Sequence, residues 1–546
     1  MQELSANKLR DASVLSPRPE PQPRTRTASL RIPLLLLAGG LAVRVMLAYW
    51  TFLNPDEAWH YLLAAQPSLA SAYRASLTTA HPPLMILLLY AWHFLGSSEF
   101  WLRVPSVLTG TAFCGMMFLW LDEVFDRTTA LLALTLLLFS PPLISLSAEV
   151  RQYGLLLFFC SCSLYFLERA LRGTSWRCLL VSLVSLYLAL LTHYSALLFA
   201  FAAGVYGCLR FIETKRASRL LATWVAGQVV ALGLTAFLVL GQVAHLRQSG
   251  LTKQISETYV SKSLFHPGHD HLARFMATNT LRLFRYFFSN GTIGVMGLLL
   301  FAAGLAILLA GRKQGTSDNR SPRAVAVLVV APFVATLAAG IAALYPYGGT
   351  RHDVILAPFA MVSISVALGA RKAPRGWIKP VAIAIPLAIG NLHPFPTGPY
   401  IRPAEQNRKL MRESLDYLHR AAEPGTTVLA DYESGLLLRY YVCRSRVLDF
   451  DAAAHGIFPM GCGEYRLVMP DESLFVFSPE TFMSTLRQMH AMHVFAGSRQ
   501  AWLFQAGWIG DRQHLNPDDP ELGCSGVQRF GRNISVCQIN PAEFAR

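Results

Sequence analysis

Apolar residues dominate this chain in blocks, and polar residues gather in the gaps between them. Runs of roughly 16–22 residues, long enough to cross a bilayer core, fall at 32–53, 101–120, 128–147, 152–168, 178–194, 195–211, 220–241, 291–310, 324–345, 353–370 and 380–394. They predict a polytopic α-helical membrane protein of about eleven transmembrane helices. The run 83–96, PLMILLLYAWHFLG, has fourteen residues and reaches only ~21 Å as a helix, so it is expected along the membrane interface. Beyond residue 394 the pattern changes. NRKLMRESLDYLHRAA has the spacing of an amphipathic helix, EPGTTVLAD reads as turn and strand, ESGLLLRYYV as helix, and RVLDF, SLFVFSP and NISVCQI as strands. Asp431 ends a strand without a glycine fingerprint.

The expected organisation is a disordered Pro- and Arg-rich cytoplasmic tail at 1–31, a membrane domain at 32–394 and an extracytoplasmic α/β domain at 395–546. The membrane domain has a first outer loop at 54–100, containing the interfacial helix, and a long outer loop at 242–290. The first run is read as a retained helix rather than a cleaved signal.

Composition agrees: 53% of residues are hydrophobic, 15% are charged, and the mean hydropathy is +0.37. The net charge of +15 sits largely in short loops, where topology explains it better than nucleic-acid binding. With 83–96 on the interface, the Lys/Arg clusters before 32 and at 168–177, 210–219, 311–323 and 371–379 all face the cytoplasm. The N-terminus is then cytoplasmic and the C-terminal domain periplasmic or extracellular, in a multi-pass protein of the plasma (inner) membrane. Of nine cysteines, four (Cys443, Cys462, Cys524 and Cys537) lie in the C-terminal domain. An exported domain could form two disulfides from them, the local pairing being one of three connectivities.

That topology collects polar residues at the outer span ends, in NPDEAWHY (54–61), AHPPL (80–84), AEVRQYG (148–154), LTHYS (191–195) and YPYGGTRHD (345–353). Carboxylates there could take a proton from a hydroxyl. Arg and His could hold a phosphate, and aromatic rings could stack on sugars. The candidates are Asp56, Glu57 and Glu149 for catalysis, and His81, Arg103, Arg151, Tyr153, His193, Tyr194, Tyr347, Arg351 and His352 for binding. Asp56, Glu57, Glu149 and His81 could also ligate a divalent metal, but none lies at a metal-motif spacing, so no cofactor and no ligand set is assigned. FHPGHDH (265–271) looks like a histidine cluster and reads more plainly as a solvated segment of a substrate-covering loop.

An Asp-Glu pair after the first span, then His-Pro-Pro-Leu, then Glu-x-Arg-x-Tyr, resembles the GT-C membrane glycosyltransferases, specifically the protein O-mannosyltransferase and lipid A aminoarabinose transferase superfamily, over roughly 32–394. The resemblance implies an inverting transfer of a monosaccharide from a polyprenyl-phosphate carrier to a hydroxyl of a glycan, lipid or protein at the outer face. It implies that Asp56 activates that hydroxyl and that Glu57 serves in acceptor binding or local hydrogen bonding. Glu149 stands at the second acidic position. His81 stands where relatives place a Lys or His that contacts the lipid phosphate, and Arg151 and Tyr153 position phosphate and sugar. Tyr347, Arg351 and His352 match a less uniform segment. The rival readings are a transporter of an envelope precursor or lipid-linked glycan, which internal repeats and midplane charges would mark, an outer-face polysaccharide polymerase or ligase, and a non-catalytic assembly protein.

Overall fold

Each apolar run becomes a helix, and caps and prolines decide where the helices stop. The structure, a computed structural model, describes residues 30–214, 218–243, 260–311, 321–370, 378–392, 406–443, 457–470, 479–495, 500–506 and 515–540. The chain opens with α1 (Arg31–Trp50), the first candidate span, followed by α2 (Pro55–Ala64), α3 (Leu69–Ser76) and α4 (Leu84–Trp92). The bundle continues with α5 (Glu99–Val124), α6 (Arg127–Leu138), α7 (Pro141–Ser147), α8 (Tyr153–Gly173), α9 (Trp176–Leu190), α10 (Ala196–Thr214) and α11 (Ser218–Leu238). It closes with α12 (Leu272–Phe288), α13 (Gly291–Leu309), α14 (Pro322–Ile341), α15 (Ala357–Gly369) and α16 (Ile378–Leu392).

Among the described residues, eight helices are long and apolar enough to cross a membrane, or nine with α6 and α7 taken as one bent span. The other two predicted spans correspond to the 15-residue helices α9 and α16. The chain is a multi-span membrane protein. The short helix α4 packs on α2 and α3. Within the loop expected at 242–290, residues 272–288 form a 17-residue amphipathic helix.

The 60° bend between α6 and α7 has a local chemical cause. Pro141 and Pro142 have no amide N–H, so the Leu137 and Leu138 carbonyls lose their partners four residues on. The buried Arg44 of α1 supplies one, donating from Nη1 to the Leu138 carbonyl at 2.9 Å. Gly40 lets the helices come this close, since a Cβ there would lie 2.5 Å from a Leu138 methyl. The bend brings α7 and the following segment, 148–152, against the N-terminal half of α5, where Ser106 Oγ donates to the Arg151 carbonyl at 2.9 Å.

The C-terminal part forms a six-stranded mixed sheet in the order β2-β3-β1-β4-β6-β5. Its strands are β1 (Thr427–Leu429), β2 (Ile457–Cys462), β3 (Tyr465–Pro470), β4 (Ala501–Gln505), β5 (Cys524–Phe530) and β6 (Ile534–Ile539). The central β1 runs parallel to both β3 and β4. Helices α17 (Arg408–Ala421), α18 (Tyr432–Tyr441) and α19 (Pro479–Ala491) accompany it. The strands expected at RVLDF and SLFVFSP lie outside the described residues. Asp431 caps α18, accepting from the Ser434 amide at 2.7 Å, and burial pushes its carboxyl up to about 6. Cys443 pairs with Cys462 and Cys524 with Cys537. One apolar core runs from residues between α1 and α5 and the start of α5 (Phe52, Leu62, Leu89, Leu102) into this sheet (Val428, Leu467, Trp502) and its helix α18 (Leu437).

Candidate active site

Asp56 and Glu57 are neighbours in sequence with opposite surroundings. Asn54-Pro55-Asp56-Glu57 starts α2 as a capping box. Asn54 Oδ1 accepts from the Glu57 amide at 3.0 Å, and Glu57 Oε2 accepts from the Asn54 amide at 2.9 Å. The box turns Glu57 inward, where it pairs with Arg103 through Nε–Oε1 at 2.7 Å and Nη2–Oε2 at 2.6 Å, both side chains fully buried. Glu57 Oε1 also accepts from the Val150 amide at 2.8 Å. The remaining Arg103 donors cap the end of α1 at the carbonyls of Ala48, Thr51 and Phe52. Glu57 was expected to be catalytic and Arg103 to bind substrate. Both are instead sealed in a clamp with their polar atoms in use.

Asp56, one position earlier, faces the cleft lined by Arg151 and Arg351 and keeps 19% of its side chain exposed. Its Oδ2 pairs with Arg151 Nη1 at 3.2 Å and with Arg351 Nη1. Neither contact uses Oδ1. Burial favours the neutral acid, but Arg151 and Arg351 outweigh it and hold the carboxyl well below the usual range. Glu149 is half-buried and takes a hydrogen bond from Ser145 Oγ at 3.2 Å. Burial and the proximity of Glu57 push it up to about 7 against the pull of Arg151 and Arg351. Arg351 is presented by a tight loop. Asp353 Oδ2 accepts the amides of Gly348, Gly349 and Thr350 at 3.2, 2.9 and 2.9 Å. Gly349 has φ +80°, and a Cβ there would lie 2.5 Å from the Arg282 carbonyl, so only glycine fits.

The description dolichyl-phosphate-mannose-protein mannosyltransferase matches residues 80–241, which include His81, Glu149, Arg151 and His193. Among solved structures, ArnT from Cupriavidus metallidurans in the apo state is similar, with a TM-score of 0.51 at 13% identity over 93% of this chain and 97% of that one. The same protein bound to undecaprenyl phosphate gives 0.49 at 13% over the same shares. The oligosaccharyltransferase AglB from Archaeoglobus fulgidus gives 0.46 at 12%, over 86% of this chain and 69% of that one. No curated protein matches by sequence at a significant level. The chain is a membrane glycosyltransferase of the GT-C fold.

Behind Asp56 the glycosyltransferase carries a file of four imidazoles. The ring centroids run His60–His81 6.2 Å, His81–His193 5.1 Å and His193–His352 6.2 Å, with Tyr153 5.3 Å from His193. Burial and the neighbouring Arg151 push His60 down to about 4. Burial, with Arg151 and Arg351, pushes His193 down to about 3. Burial and His193 hold His81 well below its ordinary value. These three are neutral at pH 7, so His81 brings no positive charge to a phosphate.

The cleft gathers Asp56, Glu149, Arg151, Arg351, His81, His193, His352 and Tyr153. Tyr194 stands behind it, donating to Gln242 Oε1 at 2.8 Å. Tyr347 is not part of the cleft. It is buried against α12, its hydroxyl 2.9 Å from Thr280 Oγ1. Tyr345, two residues earlier, takes the place expected of it, with its ring 6.2 Å from His352 and its hydroxyl donating to the His352 carbonyl at 3.0 Å. The reading of the sequence also missed His60 and Gln242. His60 lies four residues after Asp56, on the same helical face, and its Nδ1 meets the Asp56 carbonyl at 2.6 Å. Gln242 Nε2 reaches the carbonyls of Ser76, Thr79 and His81 at 3.1, 3.0 and 2.6 Å.

Among the described residues no three His, Cys, Asp or Glu side chains converge to hold a metal. Of the four candidate ligands, Glu57 is consumed by the clamp and Asp56 Oδ2 by two guanidiniums. His266 and Asp270 pair at 3.4 Å on the surface, and His269 and His271 beside them are exposed.

Proposed function

We propose that this glycosyltransferase moves a monosaccharide from a polyprenyl-phosphate carrier to a hydroxyl of a glycan, lipid or protein, with inversion, at the outer face of the plasma (inner) membrane. The observation that carries the reading is the setting of Asp56, a carboxylate pinned through one oxygen by two guanidiniums at a membrane-surface cleft. The family description, which names a lipid-phosphate mannose donor, supports the donor class. The placement of Lys and Arg in the loops supports the orientation.

In this mechanism the acceptor oxygen attacks the anomeric carbon from the face opposite the phosphate. As the new C–O bond forms, the sugar–phosphate C–O bond breaks and its electron pair leaves with the lipid phosphate. Asp56 takes the acceptor proton on Oδ1. Its low pKa keeps it ionised and ready, and positive charge building on the sugar acidifies the attacking hydroxyl. Arg151 keeps Nε and Nη2 buried without a hydrogen-bond partner among the described residues, so two donors stand ready for the phosphate as it gains charge. Arg351 supplies the second cation. The neutral imidazoles and Tyr153 offer uncharged hydrogen bonds and ring faces to the sugar.

The test is lipid-phosphate release from a panel of radiolabelled polyprenyl-phosphate sugars by purified protein in nanodiscs. Release with one donor and envelope extract as acceptor is expected. No release from any donor by folded protein would contradict the reading.

A further inference from the structure

The C-terminal sheet domain does more than pack against the membrane bundle, because it hydrogen-bonds the backbone that delivers Asp56. Residues 51–54 link α1 to α2 and have no helix or sheet of their own beyond a single bridge between Thr51 and Asn407. From the C-terminal part, the Phe52 amide donates to the Gln406 carbonyl at 2.9 Å, and Gln406 Nε2 donates to the Phe52 carbonyl at 2.9 Å. The next amide, Leu53, donates to the Tyr441 hydroxyl at 2.9 Å. Tyr441 is the last residue of α18, and its hydroxyl in turn donates to Glu99 of α5. Glu99 also pairs with Arg408 of α17. Helix α18 then lies along α2, with Trp59 against Tyr432 at 5.9 Å and Tyr61 against Tyr440 at 5.2 Å.

Leu53 is three residues before Asp56, and the Arg103–Glu57 clamp fixes the same segment from the membrane side. The segment is therefore held from two sides by two parts of the chain. The Tyr441 hydroxyl bonds the Leu53 backbone and an α5 carboxylate together. Phenylalanine at 441 would keep the ring and its packing but leave the Leu53 amide buried without an acceptor. A shift of the carboxylate by a fraction of an ångström is enough to weaken proton transfer.

We propose that Tyr441 is a positioning residue for sugar transfer, setting the place of the Asp56 carboxylate through the Leu53 amide and Glu99. The claim rests on the transferase reading above, with Asp56 as the proton acceptor.

The experiment compares full-length wild type, Tyr441→Phe, Glu99→Gln, the double variant and Tyr440→Phe in nanodiscs, measuring kcat and donor KM. Tyr440 donates to the Ser97 carbonyl, outside the 51–54 segment, and serves as the control. Folding of α18 is followed by mass spectrometry of the Cys443–Cys462 disulfide, which lies just past its end. The expected result is a kcat reduced roughly 10- to 100-fold in Tyr441→Phe, with donor KM within about twofold of wild type. The double variant should be no worse than the weaker single one, and Tyr440→Phe should match wild type. Wild-type kcat in Tyr441→Phe with the disulfide intact would overturn the proposal. So would an equal loss in Tyr440→Phe, which would mean that the whole interface had loosened. If Tyr441→Phe fails to form the disulfide, Glu99→Gln decides, and an unchanged kcat there overturns the proposal. A wild-type protein that transfers nothing from any donor is a different result: it removes the transferase reading and the positioning claim with it.

Discussion

Arg103 and Glu57 meet in a two-pronged ion pair, 2.7 and 2.6 Å long and closed to solvent, at the base of the segment that carries Asp56. The pair replaces lost hydration with a full set of partners. Glu57 takes two backbone amides, and Arg103 caps three backbone carbonyls. Removing either partner strands a buried charge. Arg103→Met should destabilise the protein by about 3–5 kcal/mol, read as a drop in thermal unfolding temperature in detergent. Arg103→Lys should not restore it, because an ammonium cannot match the fork. An unfolding temperature unchanged by Arg103→Met would show that the clamp is dispensable.

Glu149 sets the pH response. Its carboxyl, raised to about 7, is protonated and neutral below that pH and ionised above it. Ionisation adds negative charge beside a sugar that becomes positive in the transition state, so transfer should rise as pH increases through about 7. Asp353, in the loop that presents Arg351, is pushed by burial up to about 6 and titrates at the acid edge of this limb. Asp56 is already ionised, Arg151 stays charged, and His60 and His193 titrate near 4 and 3. Glu149→Gln should flatten the profile between pH 6 and 8, a window spanning about one unit either side of that value. A limb that survives the substitution assigns the titration to another group.

Gln242 holds the cleft from behind. Its amide reaches three carbonyls of the 76–81 turn and its oxygen takes the Tyr194 hydroxyl. It thereby ties His81 to the segment that carries His193. Gln242→Leu keeps the bulk but takes the partner from the Thr79 carbonyl and the Tyr194 hydroxyl, at about 1–3 kcal/mol for each one buried. The expected outcome is a higher donor KM with a smaller change in kcat, measured by steady-state release. Unchanged donor KM would show that the turn holds itself.

The apolar runs revealed the membrane helices because a bilayer forces backbone groups to pair within each helix, and composition alone reports that. The polar motifs at the span ends were legible for the same reason, since charge interrupting an apolar run is costly. Which of two adjacent carboxylates faces the cleft was written less openly. Asn54-x-x-Glu57 is a capping-box pattern, and reading it so would have assigned Glu57 to the helix start and left Asp56 for chemistry. Tyr345 and Tyr347 cannot be told apart by pattern, because the loop that orients them is shaped by Gly348, Gly349 and Asp353. Gln242 and Tyr441 leave no local trace at all. The carbonyls that Gln242 holds lie more than 150 residues away in the chain and the Tyr441 partners more than 300, and only the packed bundle and sheet bring them together.

The account stands on Asp56 as the proton acceptor, and Asp56→Asn measures that most directly. Asparagine keeps the size and can still face Arg151 and Arg351, but it cannot take a proton at working pH. With protein confirmed as folded and donor binding retained, sugar transfer in nanodiscs should fall by about 10²- to 10⁴-fold. Retention of more than about a tenth of wild-type transfer would contradict the account, because a loss that small lies below the ordinary contribution of a general base.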